Sequence, residues 1–515
     1  MKTYLFISFY LCLNILFGQG VDKVQLLNAN SLVFDMQSTG KVKRLIGDVR
    51  FKQRNTLLYC DSAYQYDEEN KVEAFGSVRI NQQDSINLYG NYLLYDGNTK
   101  HASLQGDARM VDKDMTLTSS TLEYDMATNF GYYNNGGRLI NGNNILTSKN
   151  GYYFGNTKET FFKNNVVLTN PDYVINTDTL KYKTGNKIAE FYGPTKITSK
   201  SDILYCKVGK YDTEKEIAMF GKNAVVVSKN NILTADSIYY EKLTQFGKAF
   251  KNIEMYDTTN NVVVYGDYGE MFGKLGLSIV TKNAVAKQYM KNDSMYLFSD
   301  TIISYQMAAT GKQMVKAFRK VKLIKSDMQA ICDSLTYNKS DSSINLYKKP
   351  IMWSGSNQIT ADSITLFLKN NVLDSFVLRT NAFLISRETA RQFNQIKGKN
   401  MYGFFEGNAI KFLHVNGNAQ SIYYAKQDSD YIGVNTEDCS EMEFNFKMNK
   451  IDRCNFINQP FAVLHPINEL KPEDLKLKGF IWLNNLRPTQ ALIMKRFYGK
   501  NNFLKKTLFG ALIYQ

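Results

Sequence analysis

Apolar and polar residues alternate along most of this chain with the period of two that a half-buried strand requires, and short runs of Asp, Asn, Gly and Lys interrupt the alternation. Runs such as Tyr66-Asp67-Glu68-Glu69-Asn70-Lys71 and Asp96-Gly97-Asn98-Thr99-Lys100 read as hairpin turns. One alternating phrase is centred on Asp-Ser. It recurs as Leu58-Tyr59-Cys60-Asp61-Ser62, Leu233-Thr234-Ala235-Asp236-Ser237-Ile238, Ala330-Ile331-Cys332-Asp333-Ser334-Leu335 and Ile359-Thr360-Ala361-Asp362-Ser363, with a looser copy at Ile175-Asn176-Thr177-Asp178-Thr179. A second phrase, an apolar pair followed by glycine and a short strand, recurs around Gly47, Gly76, Gly106, Gly193 and Gly221. Asp61, Asp178 and Asp236 are separated by 117 and 58 residues and Asp333 and Asp362 by 29, while the glycines step by 29, 30, 87 and 28. Both markers therefore share a period close to 29 residues, and about twelve such units fit between Val24 and Ser386.

A unit this small cannot bury its apolar face alone, so neighbouring units must stack. The recurring glycine inside a strand pattern is what a bulge or sharp bend needs. The expectation is an all-β array of antiparallel strands over residues 21–386, with its apolar faces folded together. The period leaves open whether those faces close on each other or enclose a slot. Residues 387–465 keep the strand-and-turn style in altered phrases, as at Gln395-Ile396-Lys397-Gly398 and Val415-Asn416-Gly417-Asn418, and read as a C-terminal β segment or cap. A short helix or ordered loop is expected at 387–394. The basic tail 466–515 contains Pro466, Pro472 and Pro488; a partner-docking or membrane-surface role is weighed against an unanchored terminus, which is the simpler reading.

Composition agrees with strands: there are 7 prolines against 34 tyrosines and 32 phenylalanines. Met1-Lys2, an apolar run over 4–17, and Gly18 and Gly20 have the layout of a secretory signal, with the mature chain starting near Val21. The run is shorter than a bilayer span. A formal charge of +15 points to a polyanionic or membrane partner, and export sets nucleic acid aside; an anionic glycolipid satisfies both charge and compartment.

Candidate chemistry is sparse, and no enzyme is expected. The three histidines, His101, His414 and His465, are far apart and offer neither a metal site nor a triad. No phosphate-binding Gly-Lys-Ser/Thr loop occurs, and no cofactor is called for. Carboxylate pairs such as Glu68-Glu69 or Glu441 and Glu443 have no distinguishing spacing. Recurrence of Asp-Ser at the repeat period argues for a turn or ladder role rather than catalysis. Cys60, Cys206 and Cys332 occupy similar repeat positions and read as small buried residues. Cys439 and Cys454 alone lie close enough in sequence to be disulfide candidates, with the free form the weightier reading. The clusters Lys41, Lys43, Arg44 and Lys316, Arg319, Lys320, Lys322, Lys325 are balanced between phosphate contacts and protection of strand edges.

The tandem Ala-Asp-Ser-Ile strands, each followed by an aromatic-Gly-x-Val strand, resemble the OstA-like (LptA-like) repeats of lipopolysaccharide-transport proteins over residues 24–386. That resemblance implies an elongated, V-shaped stack of antiparallel β-jelly-roll repeats that holds acyl chains between its sheets. It further implies lipopolysaccharide as ligand, an inner-membrane export complex and an outer-membrane translocon as partners, and end-to-end self-association. The chain departs from the short bridge proteins of that family in its length and C-terminal extension. The apolar strand residues expected to meet lipid are Leu58, Phe75, Val78, Leu94, Phe191, Phe220, Ile238 and Leu335. An exported β-solenoid that binds or processes polysaccharide, and a structural envelope scaffold, are the alternatives.

Overall fold

A computed structural model describes residues 22–34, 42–82, 86–291, 293–306, 313–370, 372–407, 409–427, 430–447 and 450–497. The expected signal segment and Lys41 lie outside them. The protein is all-β and antiparallel. It divides into two compact units, residues 1–200 with 212–214, and residues 201–211 with 215–515.

In the first unit strands of eleven or twelve residues follow one another: Val42–Gln53, Thr56–Tyr66, Lys71–Gln82, Ile86–Asp96, His101–Asp112 and Met115–Asp125. Each pairs with the next in sequence. Two strands and two turns make one 29-residue repeat. The turn carboxylates act as the sequence predicts: Asp96 accepts bonds from the backbone amides of Asn98 and Thr99, and Asp125, 29 residues on, from those of Ala127 and Thr128.

Midway along alternate strands the register skips, between Ile46 and Val49, Phe75 and Val78, and Gln105 and Ala108. The skipped pair takes positive φ: Gly47 (78°) with Asp48 (46°), Gly76 (70°) with Ser77 (42°), and Gly106 (73°) with Asp107 (49°). A Cβ on Gly76 would run into the Asp61 carboxylate, so this position needs glycine for space as well as for conformation. Later repeats build the same bend without glycine, from Asn164-Asn165, Lys222-Asn223, Lys251-Asn252 and Lys282-Asn283, all at positive φ. At two of these an aspartate of the preceding strand holds the bend, accepting a bond from the Asn252 side chain at Asp236 (3.0 Å) and from Asn283 at Asp267 (2.7 Å). Asp362 does the same for Asn381 at 3.1 Å, so Asp236 and Asp362, two of the repeated aspartates, are bend caps. Gly76→Val is expected to cost about 2 kcal/mol from backbone strain alone, read as a lower urea midpoint, whereas Ser77→Ala should fall well below that.

The bends divide every long strand into two arms and lay the arms face to face, with alternate residues pointing inward. In the first unit Leu45, Val49 and Phe51, then Val72, Ala74, Val78 and Ile80, then Leu88 and Leu93 are all buried. Cys60 joins them, and burial pushes its thiol up to about 12.

The second unit repeats the scheme from Asp202–Asp212 to Met328–Asn338 and then lengthens, with Val372–Arg387, Phe393–Glu406, Ala409–Gln427 and Asp430–Lys447 spanning 14 to 19 residues. Residues 388–392 are a hairpin turn rather than a helix, because the backbone amide of Glu388 bonds to the carbonyl of Gln392 and the flanking strands pair directly across it. Cys439 and Cys454 are free. Register keeps them apart: Cys439 pairs with Ala419, whereas Cys454 sits opposite Phe444 on the adjoining strand.

The tail departs most from expectation, since it is anchored as far as Phe497. Ile467, Leu470, Leu475 and Leu477 pack on Ile422, Tyr424 and Val434. Buried glutamines then grip its backbone as a neighbouring strand would. Gln395 donates to Leu475 O (2.8 Å) and accepts from Leu477 N (2.9 Å), and Gln358 donates to Ile481 O and accepts from Leu483 N, both at 2.7 Å. Arg487 donates to the Gln329 side chain and to Gly355 O, and Phe497, at the end of helix Gln490–Phe497, contacts Tyr265 and Tyr296. Residues 498–515 lie outside the described part.

Candidate functional site

Inside the bent sheet the two units differ. Leu88, Leu93 and Leu104 in the first unit are 0% exposed. In the second, Leu204 and Leu297 reach 8%, Phe220 7% and Ile238 6%, while the inward Leu233, Met255 and Val264 are only half-buried. From Leu323 to Val415 the inner face closes again, with Leu346, Ile359, Leu378 and Val415 at 0%. The least tightly closed apolar interior therefore lies over residues 204–297.

Of the residues expected to meet lipid, Leu58, Val78 and Phe191 are inward and buried in the first unit, and Phe220, Ile238 and Leu335 are inward and buried in the second. Phe75 and Leu94 are on the other face. Phe75 packs between Tyr64 (5.9 Å) and Tyr92 (5.3 Å) in an outer aromatic ladder, and Leu94 is 39% exposed. The inward neighbours are Ala74 and Leu93. Leu233, Met255 and Val264 escaped the sequence reading; their signal is alternation in phase with Ala235, Ile253 and Gly266.

The basic clusters lie off the inner face. Lys43 is paired with Asp67 at 2.6 Å, Lys325 with Asp327 at 2.7 Å, and Lys316 sits over the Tyr305 ring. Arg319 and Lys320 form the bend of strand Gln313–Ile324. His101 meets Glu123 at 2.8 Å, His414 lies 3.4 Å from both Glu441 and Glu443 while stacking on Tyr402, and His465 bonds to Thr436. Those two glutamates are thus partners of one histidine rather than an acid and base across a cleft. Among the described residues no group of His, Cys, Asp or Glu is arranged to hold a metal ion, and no helix is long and apolar enough to cross a membrane.

One carboxyl stands out. Glu437, 6% exposed, accepts bonds from Ser421 and Asn435 and lines a cavity of about 360 Å³ with Tyr423, Phe444, Cys454 and Phe456. Burial pushes this carboxyl up to about 7.

The 29-residue, bend-and-return β repeats of this chain fall within two known families. The OstA-like protein family matches residues 21–178 and 174–236, and the family described as LptA/(LptD N-terminal domain) LPS transport protein matches residues 283–372. No curated protein matches the chain. The chain belongs to the OstA-like family of lipopolysaccharide-transport proteins.

Proposed function

We propose that this protein is an exported, periplasmic carrier that moves lipopolysaccharide towards the outer membrane, shielding its acyl chains on the inner face of the bent sheet. The observation that carries the reading is the loosened apolar interior over residues 204–297, inside a chain whose flanking repeats match lipopolysaccharide-transport families. Burying an acyl chain there is favourable by about 25 cal/mol per Å² of apolar surface, while phosphates and sugars remain in water. No group in the site supplies energy, so directionality comes from partners: an inner-membrane export complex on one side and an outer-membrane translocon on the other. End-to-end contacts, with these partners or a second copy, would use strands that have a paired strand on one side only among the described residues. These are Gln25–Asn28 and Ser31–Phe34, where Leu27 and Phe34 are exposed, and Lys450–Ile457 and Phe461–His465, where Phe461 is exposed.

The test is mass spectrometry of lipids retained by the mature chain after periplasmic expression in a lipopolysaccharide-producing host. Lipid A species are expected with the wild type and should be lost in Leu233→Asp/Met255→Asp. Phe75→Asp, on the outer face, should retain them. A folded, lipid-free wild-type protein would sink the reading.

A further inference from the structure

The repeat carries a third marker at the same period. Tyr95, Tyr124, Tyr153, Tyr182, Tyr211 and Tyr240 are spaced 29 residues apart, and the next position is Gly269. In the first unit each tyrosine stands at the end of a strand on one arm, next to a turn, where the mouth between the arms would otherwise gape. Tyr95, Tyr124, Tyr153 and Tyr182 are at most 3% exposed. Three of their hydroxyls reach across to the end of the opposite arm, some 41 residues earlier in the chain: Tyr95 donates to Gln53, Tyr153 to Asp112, and Tyr182 to Asn141 at 3.0 Å.

Other polar groups complete each level. Gln53 also donates to Gly97 O at 2.7 Å, Lys158 donates to Asp112 at 2.5 Å, and Asn144 donates to the hydroxyl of Tyr182 at 3.1 Å and to that of Thr213 at 3.3 Å. The Tyr124 hydroxyl has no partner among the described residues, and its level is joined instead by Gln82 donating to Met126 O at 2.9 Å. Four successive levels are therefore laced across the mouth by polar side chains, beside an inner face built mainly of Leu, Ile, Val and Ala.

Such lacing is not what core stability selects. Phenylalanine would fill the same space without a hydroxyl to satisfy, and leucine would do as well as Gln53 or Asn141 at the facing position. Polar contacts repeated along one line are instead suited to separate and re-form when water or a ligand headgroup can replace each partner. The series runs out at Tyr240, which is only partly buried, and Gly269 follows within the stretch where the inner face is loosest.

We propose that this tyrosine-polar seam is the line along which the first unit opens, and that it admits an aliphatic chain sideways, whereas the 204–297 interior needs no such opening. The ligand class rests on the lipid-carrying reading above; the opening of the seam does not. The test compares the full mature chain with Tyr95→Phe/Tyr153→Phe/Tyr182→Phe, and with Tyr182→Phe alone in case the triple variant fails to fold.

Amide hydrogen exchange should quicken about tenfold or more in Ile86–Asp96, Asn150–Phe154 and Tyr173–Lys183 of the triple variant, and only around Tyr173–Lys183 in the single one, with Phe246–Asp257 unchanged in both. Palmitate bearing a terminal diazirine should label Asn231–Glu241 equally in all proteins and label Leu88 and Leu104 several-fold more in the triple variant. Unchanged exchange in the folded variants, or faster exchange with undiminished labelling at 231–241 and no gain at Leu88 and Leu104, overturns the proposal. If palmitate labels no inner position in any protein, the lipid-carrying reading fails, and the exchange result alone decides the seam.

Discussion

Trp353→Ala is expected to lower stability by about 3–5 kcal/mol and to free the tail for proteolysis. Trp353 is 0% exposed although it faces away from the inner core, whose adjacent member is Met352. Its cross-strand neighbours are Gln329 and Gln358, and both bond to the tail, through Arg487 and through Ile481 and Leu483. The indole is thus the apolar block on which residues 481–487 rest. Removing it leaves a cavity between sheet and tail and two glutamines gripping a strap without a floor. The measurement is urea unfolding together with trypsin cleavage after Lys476 and Lys478. The protein has 2 tryptophans, so Trp482→Phe makes Trp353 the sole indole, and its emission should shift to the red when residues 467–515 are deleted. Normal protease resistance in Trp353→Ala would show that the glutamine contacts alone hold the tail.

The repeat and the bend were legible because both depend on local chemistry. Alternation marks the strands, and Gly47, Gly76 and Gly106 mark a left-handed backbone where space is also short. Gly221 likewise marks the bend at Lys222-Asn223 although the left-handed residues are the two after it, whereas the bend at Lys282-Asn283 is hidden, since Lys and Asn read equally well as turn residues until a partner such as Asp267 is seen to hold them. Face assignment failed at Phe75 and Leu94 for a different reason. The bend changes the phase of alternation in every second strand, so inward residues fall at Leu88 and then at Leu93 rather than Leu94. Phe75 is an apolar residue of the glycine-centred strand phrase, but the interior at that level takes the small Ala74, and the ring joins Tyr64 and Tyr92 outside. The tail was missed because its prolines suggested a loose end. Its signal lay in the sheet: Ile351-Met352-Trp353 and Phe383-Leu384-Ile385 are unbroken apolar runs where a strand with one wet face would alternate, and they announce a second covered face. The tyrosine series was equally visible at the repeat period, but spacing alone could not say that its hydroxyls reach the opposite arm.

Stability of the last strands is expected to fall as pH rises from about 4.5 to about 7, and Glu437→Gln should abolish most of that fall. Burial raises the Glu437 carboxyl from an ordinary 4.5 to about 7 in the folded protein. Between those values the unfolded chain has released its proton and the folded chain has not, so folding binds a proton and each rise in pH works against it. Below 4.5 both states are protonated and the penalty is absent; above 7 both are ionised and the penalty is complete, on the order of 3 kcal/mol. Ser421 and Asn435 donate to the carboxyl but do not offset its loss of water, because the rest of the cavity is lined by Tyr423, Phe444 and Phe456. Glutamine keeps the shape and an acceptor for Ser421 without the charge. Hydrogen exchange within Asp430–Lys447, compared at pH 5 and pH 8 after correction for intrinsic rates, should show wild-type protection dropping at the higher pH and the variant holding nearly constant. If both proteins lose protection equally, another group governs the pH response and the buried carboxyl is already ionised at neutral pH.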